Sequence, residues 1–155
     1  MTPEVLQNEL TKELATLFAD IEFRNENDKR VNMNYYKQVF PRKESDDDPD
    51  PFPWCIVQLG ENKVTNVGLQ EQIQEVFLFF GIYYDKYDCQ YQHYMLTLFE
   101  RVKKRFLTKP LLGRYFTALP EITSRMDDEE EATYPYYFGA MSLSFVMPNY
   151  DREDD

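Results

Sequence analysis

One segment of the sequence strongly limits the fold, because it is apolar at most positions. It runs from Tyr134 to Pro148 and reads YPYYFGAMSLSFVMP. Successive side chains of a strand point to opposite faces of a sheet. One predicted face carries Tyr137, Met141, Leu143, Phe145 and Met147, and the other carries Tyr136, Phe138, Ala140 and Val146. A strand that is apolar on both faces predicts a sheet that is covered on both sides.

A second segment, Gln72 to Tyr84, repeats this pattern. One predicted face is uninterrupted, with Val76, Leu78, Phe80 and Ile82. The opposite face has Ile73, Phe77, Phe79 and Tyr83, with Glu75 as its only charge. These two strands are therefore predicted to form the centre of the sheet, with apolar side chains on both faces.

The sequence predicts two helices that could cover this sheet. The first runs from Pro3 to Ile21, with Thr2 as its cap and proline in its first turn. The second runs from about Cys89 to Leu107, with Asp88 as its cap. Its basic cluster Lys103, Lys104 and Arg105 complements the helix C-terminus, which we favour over a nucleic-acid patch. Two helices can cover only one face of the sheet.

The remaining segments complete an α+β prediction. Loops or turns are expected at 22–30, 41–53 and 60–68, and shorter strands at 31–40 and 54–59. Segments 112–119 and 122–126 form either a hairpin about Pro120 or two edge strands. The predicted fold has one mixed or antiparallel sheet of about five or six strands, with two main helices packed on one face. We expect a single domain over 1–148 and an acidic, disordered tail over 149–155.

Composition and charge exclude several classes of protein. At 155 residues and 43% hydrophobic content, the chain can bury the core of one domain. Cys55 and Cys89 do not suggest a disulfide framework. With neither an apolar signal segment nor a membrane-spanning run, we expect a protein made in the cytosol. Of its 28 acids, 13 lie in the runs 46–50, 127–131 and 151–155, which argues against sequence-specific DNA binding.

Motifs for catalysis or cofactor binding are hard to find in the sequence. The single histidine, His93, has no acid spaced to orient it, and the five glycines form no phosphate-binding loop. A reactive thiol at Cys89 would be opposed by nearby aspartates. The calcium-like run Asp46 to Asp50 is followed by Pro51 where calcium loops have glycine. We expect no catalytic residue, cofactor or metal; a hydrolase that uses two carboxylates is the enzymatic alternative.

The uncovered face of the predicted sheet indicates a binding surface. Phe77, Phe79, Tyr83 and Phe138 would expose about 600 Å² at about 150 Å² each. The largest apolar patch of a typical monomer is about 300–600 Å². We therefore expect this face to be buried against other copies of the chain or against another protein.

Several segments also resemble a known family. They are Pro51-Phe52-Pro53-Trp54, the following Ile56 to Glu61, Phe80-Gly81-Ile82-Tyr83, and Tyr134 to Pro148. This combination resembles the small neck proteins of long-tailed phages and Gram-positive prophages. The nearest group is the tail-terminator or tail-completion proteins, the class that includes the lambda tail terminator. The resemblance extends from Val31 to Pro148 and is a pattern of segments without a catalytic signature.

This resemblance implies a structural virion protein of the phage neck. Such subunits form a ring, typically a hexamer, that binds the last tail-tube ring, stops tube polymerisation and joins the head connector. The acidic loops would suit a conduit through which DNA passes without sequence-specific binding. A head-closure or head-tail joining protein, or a minor capsid component, is an alternative within the same class. A cytosolic protein-binding adaptor is the alternative from another class.

Two groups of residues are predicted to make the contacts of such a subunit. The predicted subunit interface consists of Phe77, Phe79, Tyr83, Tyr136 and Phe138. The loops 41–53 and 127–134 are predicted to dock on neighbouring rings, through Phe52, Trp54, Asp127, Asp128 and Tyr134. A slip of one residue in register would exchange the two faces of the sheet and bury the interface aromatics in the core.

Overall fold

The computed structural model of the protein confirms the α+β class. It describes residues 1–40, 52–65, 71–86, 88, 90–127 and 133–149. Within these ranges the chain forms two helices and nine strands. In chain order they are α1 (Pro3–Phe18), β1 (Phe23–Arg24), β2 (Arg30–Val31), β3 (Asn34–Lys37), β4 (Trp54–Thr65), β5 (Glu71–Tyr83), α2 (Tyr91–Thr108), β6 (Leu111–Leu112), β7 (Phe116–Ala118), β8 (Thr123–Met126) and β9 (Tyr136–Met147).

The main sheet is mixed and has seven strands. Its order is β3-β4-β5-β9-β7-β6, and β8 also pairs with β9. Strands β3 and β4 are parallel, and the other pairs are antiparallel. This is one strand more than the upper prediction, because segment 112–119 contributes to two short strands. The single-domain prediction for 1–148 stays a prediction, and residues 150–155 of the expected tail lie outside the described residues.

The alternation predicted for the two central strands is present. In β5, Val76, Leu78 and Phe80 are fully buried, while Phe77 and Phe79 between them are half-buried. Strand β9 alternates in the same way along its whole length. The antiparallel register places every buried residue of β5 except Gly81 opposite a buried residue of β9. The sheet therefore has one closed face and one more open face.

Both helices pack on the closed face, as predicted. The amide of Gln7 on α1 donates to the Val57 carbonyl at 2.7 Å, which fixes α1 over β4. Helix α2 lies along β9, because Tyr91 stacks on Tyr137 at 3.9 Å and Phe106 meets Phe145 edge-on at 5.4 Å. The shared core also contains the apolar stripes of the two helices, namely Leu6, Leu10, Leu14, Phe18, Met95, Leu98, Phe99 and Val102.

The ends of both helices differ from the prediction. Helix α1 ends at Phe18, although Ile21 is still buried after the turn. Thr2 is the N-cap residue, but its side chain makes no capping hydrogen bond. Helix α2 begins at Tyr91 behind Gln90, so Asp88 is not its cap; the Asp88 carboxylate instead accepts from the Gln90 backbone N–H at 3.1 Å. Cys89 lies outside the described residues.

Long-range pairing also changes the predicted strands. The sequence predicts a turn region over 60–68. This prediction is wrong for residues 60–65, because β4 continues along β5 after an irregularity between Leu59 and Asn62. The predicted strand 31–40 is divided into β2 and β3. The loop expected at 22–30 contains the small β1–β2 sheet. Each change adds backbone hydrogen bonds that local sequence patterns do not reveal.

Of the two arrangements predicted for 112–119 and 122–126, the hairpin about Pro120 is absent; β8 is an edge strand, whereas β7 lies between β9 and β6. Strands β7 and β8 both pair with β9, where Thr117 is opposite Val146 and Thr123 is opposite Ser142. The chain instead makes a tight hairpin between β6 and β7. Gly113 in its turn has φ of 61°, a left-handed conformation that favours glycine.

Candidate protein-binding face

The face of the main sheet opposite the helices is the candidate functional site. Residues directly paired across strands lie on the same face, so the register identifies its members. We call it the open face; it comprises Trp54, Ile56, Gln58, Phe77, Phe79, Gly81, Tyr83, Thr123, Arg125, Tyr136, Phe138, Ala140 and Ser142. Neither of the two described helices packs on this face.

One end of the open face is a network of aromatic rings. Phe52 lies 4.6 Å from Tyr136 and Phe40 lies 4.5 Å from Trp54, between ring centroids. Trp54 and Phe138 are 6.0 Å apart. Because these rings cover one another, Phe52, Tyr136 and Phe138 are half-buried. The exposed aromatic area is therefore smaller than the 600 Å² expected from fully exposed side chains.

Trp54 lies flat against the backbone of β5. A Cβ atom added to Gly81 would be 2.3 Å from Cε2 of Trp54, so only glycine permits this contact. The tryptophan is 7% exposed and begins β4. The sequence predicts Trp54 both as the first residue of the strand 54–59 and as a docking residue; the structure confirms the strand and buries the ring beneath its aromatic neighbours, and the docking role stays a prediction.

Next to the aromatic network the open face has a shallow trough. Phe77 and Phe79, with ring centroids 6.1 Å apart, form one wall. The small residues Ala140 and Ser142 form the floor, and Arg125 of β8 lies on the other side. Two adjoining depressions of about 450 and 470 Å³ make up the trough and share Phe79, Arg125 and Ala140. Its shape suits an inserted side chain.

Tyrosine hydroxyl groups surround the aromatic end of the open face. The Tyr136 hydroxyl donates to Glu26 Oε1 at 2.5 Å, and the Tyr83 hydroxyl lies 3.5 Å from Asp85 Oδ2. Burial, reinforced by the charges of Asp85 and Glu26, raises the pKa of the Tyr83 hydroxyl, which therefore stays protonated. Tyr134 donates its hydroxyl to the Asp85 carbonyl at 2.6 Å. Rings with an apolar body and a polar tip are typical of protein interfaces.

The acid-rich segments of the sequence join the described chain beside this face. Phe40 and Phe52, which flank residues 41–51, both contact Trp54. The exposed Asp127 donates its backbone N–H to the Phe138 carbonyl at 3.0 Å. Asp128 and the other residues of the predicted docking loops at 41–51 and 128–132 lie outside the described residues.

All five predicted interface residues belong to the open face, and two further contributors were missed. The sequence predicts Phe40 as the end of the strand 31–40 and puts Arg125 in the segment 122–126, whose partner strand it does not identify. The spacing of Thr123 and Arg125 is compatible with one face of a strand. Only the pairing of β8 with β9 puts that face beside Phe79 and Ala140.

The other polar residues singled out in the sequence have structural partners. Lys103 donates to Ser124 Oγ at 2.7 Å, and Arg105 Nε donates to Glu13 Oε1 at 2.6 Å. His93 is exposed on α2 beside Tyr94. Cys55 is fully buried, and burial raises the pKa of its thiol, which removes its reactivity at neutral pH.

The part of the chain that the structure describes contains no group of three or more His, Cys, Asp or Glu side chains placed to hold a metal ion. The calcium-like run 46–50 lies outside it. No helix among the described residues is long and apolar enough to cross a membrane. In comparisons with known proteins, no family model matches the chain, and no curated protein matches it in sequence.

Proposed function

We propose that this chain is a structural assembly protein that binds other copies of itself through the open face. In its most specific form, it is a tail terminator of a long-tailed phage neck. It forms a ring, typically of six subunits, on the end of the tail tube, stops tube polymerisation and joins the tube to the head connector. The open face carries this proposal, because one face of its two central strands is closed by helices and the other is not.

The size of the open face agrees with an interface that needs additional contacts. Over β4, β5, β9 and β8 it measures about 20 Å by about 25 Å, or about 500 Å² in projection. A standard interface buries about 800 Å² on each partner. The face supplies more than half of this area, and the segments that flank it are candidates for the rest.

The charge distribution supports a place in a DNA conduit. Asp127, the first residue of the acid run 127–131, lies beside one end of the open face, and the chain has a net charge of −11. Acidic surfaces repel the phosphate backbone, so DNA would pass without sequence-specific binding. Under this proposal the partners are the chain itself, the tail-tube protein and a head-completion or connector protein. The protein would be assembled in the host cytoplasm and remain in the virion.

A head-closure or head-tail joining protein, or a minor capsid component, would use a similar face. The capacity to stop the growth of a tail tube separates the tail terminator from these alternatives. A purified tail-tube protein, polymerised with and without this chain, provides the assay. Shorter tubes with this chain bound at one end would support the tail terminator, and tubes of unchanged length would favour the other neck proteins.

A cytosolic protein-binding adaptor is the second candidate. The half-burial of the open-face rings favours it, because a chain that packs its aromatics against one another can remain folded without a permanent partner. An adaptor would bind a different protein through the same face and would not form closed rings. The catalytic alternative, a hydrolase with paired carboxylates, has no comparable support from the described residues.

Mass in solution tests the proposal first. Light scattering after size exclusion, from about 1 to 200 µM, should detect an increase of mass with concentration, and negative-stain images should contain closed rings. A monomer at every concentration, also in the presence of tail-tube protein, would contradict the phage-neck proposal and favour the adaptor. The expected dissociation constant lies between micromolar and nanomolar, as for interfaces of this size.

A further inference from the structure

Strand β8 lies at an edge of the main sheet, and half of its backbone groups point away from the sheet. The Asp127 N–H donates to the Phe138 carbonyl at 3.0 Å, so the backbone of Asp127 faces β9. Successive residues of an antiparallel strand point their backbone groups to alternate sides. Arg125 therefore also faces β9, whereas the N–H and carbonyl groups of Ser124 and Met126 point outward.

These outward groups have no strand partner within the described part of the chain. Strand β6 extends the sheet beyond β7 but not beyond β8, which pairs with β9 alone. The backbone hydrogen bonds that the described residues form outside the strand ladders do not involve Ser124 or Met126. A free strand edge is a template for pairing with another chain, so the edge of β8 is a candidate interaction surface.

The charges along β8 make this edge complementary to itself. Arg125 and Asp127 are both exposed beside the trough, one residue before and one residue after Met126. When two such strands pair antiparallel with Met126 opposite Met126, Arg125 of each copy is opposite Asp127 of the other. Opposite charges in directly opposed positions stabilise a pair of strands, and like charges destabilise it. An alignment centred on Arg125 would instead oppose two arginines.

Helix α2 crosses the sheet at the level of Met126. This methionine is opposite Gly139 of β9. A Cβ atom added to Gly139 would be 2.7 Å from Met95 Sδ and 2.8 Å from Phe99 Cζ. The turn of α2 formed by residues 95–99 therefore lies over the closed face beside the centre of the proposed strand pair.

One flank of α2 faces the free edge and carries an exposed leucine. Lys103 donates to Ser124 Oγ at 2.7 Å, whereas Arg101 and Arg105 form ion pairs with α1. The flank of Lys103 is therefore turned towards β8 and away from α1. Leu96 precedes Lys103 by about two helical turns, so it lies on the same flank. It is 53% exposed, and a second copy paired along β8 would cover it.

From these observations we infer that two copies of the chain join edge to edge through β8, in an antiparallel pair centred on Met126. The two Met126 residues exchange N–H to carbonyl hydrogen bonds, and Arg125 and Asp127 form an ion pair on each side of them. Leu96 of one copy faces Leu96 of the other above this junction. Both copies use the same patch, so the contact is isologous. It goes beyond the proposed function, which assigns the contacts between copies to the open face.

This pairing extends the open face and does not cover it. The two copies form one continuous sheet, with their open faces side by side. Together these faces measure about 1,000 Å² in projection, at about 500 Å² for each copy. A standard interface buries about 800 Å² on each partner. The edge-paired dimer therefore offers a further chain a face of sufficient size, which a single copy does not.

Charge reversal on β8 tests the inference. Arg125→Asp opposes acid to acid across the junction, and Asp127→Arg opposes arginine to arginine. Each variant alone should have a dimer dissociation constant at least about tenfold above that of the wild-type chain, measured by analytical ultracentrifugation. An equal mixture of the two should form a heterodimer of wild-type strength, because every charge then faces its opposite. Native mass spectrometry separates this heterodimer from both homodimers by mass.

Arg114→Asp is the matched control, because Arg114 is exposed between β6 and β7 and the same change of charge then lies away from β8. It should dimerise like the wild-type chain. Met126→Pro tests the backbone contact. It removes an N–H that points away from β9, so the subunit should fold and the dimer should be lost. Circular dichroism verifies folding; if Met126→Pro does not fold, Leu96→Asp places a charge at the junction instead.

The outcomes separate edge pairing from the proposed function. A wild-type chain that dimerises while the mixed charge variants stay monomeric would overturn edge pairing. Rings formed by both single charge variants at wild-type concentrations would also overturn it and leave the proposed function intact. Dimers that respond to charge reversal but never grow into rings would support edge pairing and contradict the proposed function. A wild-type monomer at every concentration would overturn edge pairing and, if tail-tube protein does not change this, the proposed function as well.

Discussion

Phe79 and Phe80 are neighbours on the same strand, yet they lie in different environments. Phe80 is 0% exposed and has Phe18 of α1 and Phe99 of α2 at centroid distances of 6.0 and 6.1 Å. Phe79 is half-buried and contacts Phe77 beside the trough. The side chains are identical, so the difference comes from the elements above them. An apolar residue on a strand indicates that its face of the sheet should be buried. It does not indicate whether the same chain or a partner buries it.

The two faces also differ in the kind of side chain they use. The closed face carries Val76, Leu78 and Ile82 together with Met141 and Leu143, which interdigitate with helix residues. The open face has rings with polar tips at one end and small residues such as Ala140 and Ser142 in the trough. The closed face also carries the rings of Phe80, Tyr137 and Phe145, so the contrast lies in the higher share of aromatic rings on the open face, and aromatic residues are enriched at interfaces. This contrast agrees with a face that remains available for a partner.

The largest expected effect is a difference in the free energy of unfolding between variants of Phe80 and Phe79. Phe80→Ala removes a fully buried ring and should lower the free energy of unfolding by about 3–5 kcal/mol. Phe79→Ala should lower it by about 1 kcal/mol, because this ring has lost less contact with water. Urea unfolding followed by circular dichroism measures both. Equal losses for the two variants would mean that the open face is part of the core.

The next effect compares two glycines, one on each face. In Gly81→Ala the new Cβ would meet the Trp54 ring, which must move, and in Gly139→Ala it would meet Met95 Sδ at 2.7 Å and Phe99 Cζ at 2.8 Å. Each substitution should cost about 1–3 kcal/mol by overpacking.

Fluorescence tells these two variants apart, because Trp54 is the single tryptophan of the chain. Its emission should shift to longer wavelength in Gly81→Ala, where the ring moves towards solvent. It should be unchanged in Gly139→Ala, whose Cβ lies on the helix side. A shifted emission in both variants would indicate that the faces are mechanically coupled.

A smaller effect concerns the contact between the two helices that pack on the closed face. Arg105 joins α2 to α1 through Glu13, with side chains only 17% and 28% exposed, and also donates to the carbonyls of Lys109 and Leu111. Arg105→Met keeps the apolar stem but leaves Glu13 and these carbonyls without this donor. We expect a loss of about 1–3 kcal/mol, measured by urea unfolding. Glu13→Gln, which keeps a hydrogen-bond acceptor, is the milder control.

The smallest expected effect is a pH dependence of the stability, which comes from the ion pair between Asp20 and Arg101. A hydrogen bond from Arg101 holds the pKa of the exposed Asp20 carboxyl below its usual range. Because the pKa is lower in the folded state, this pair stabilises the fold above the unfolded pKa of about 3.9, and the contribution disappears as the pH falls through the lowered value. Asp20→Asn should therefore be slightly less stable than the wild-type chain at pH 7.

Thermal unfolding at pH 7 and at pH 2.5 checks this prediction, and the difference between the two proteins should be smaller at the acidic pH. Asp88→Asn provides the comparison, since the Tyr84 hydroxyl lowers the pKa of the Asp88 carboxyl, and Asp88 does not join the helices. A constant difference between Asp20→Asn and the wild-type chain at both pH values would exclude the charge as its cause.

The sequence predicts the two faces of the sheet well, because a two-residue period needs no knowledge of distant partners. Phe77, Phe79 and Phe138 were assigned to the open face from alternation alone. The extension of β4 to Thr65 was not predictable, since Gly60, Glu61 and Asn62 are poor strand formers; Gly60 and Glu61 lie in the irregularity, and the pairing with β5 resumes at Asn62 opposite Gln74. Whether such segments form strands depends on their pairing with strands that are distant in sequence.

The site was only partly predictable for the same reason. Arg125 lies beside Phe79 because β8 pairs with β9 instead of with β7, and the sequence offered both arrangements. Tyr115 falls in the predicted strand segment 112–119 and Leu111 immediately before it, and the sequence assigns a role to neither. Their exposure depends on the turn at Gly113, which moves the hairpin to the edge of the sheet. The neighbours of side chains on edge strands can be predicted only when the strand order is known.

The central position of β9 has a consequence for the synthesis of the protein. Strand β9 pairs with β5 on one edge and with β7 and β8 on the other, yet it follows β5 by about 50 residues. At about 5–20 residues per second, a ribosome needs several seconds to reach it. During this interval the nascent chain carries β5 with an unpaired edge and an apolar surface, which favours pairing with other chains. Termination before residue 136 would make that interval permanent.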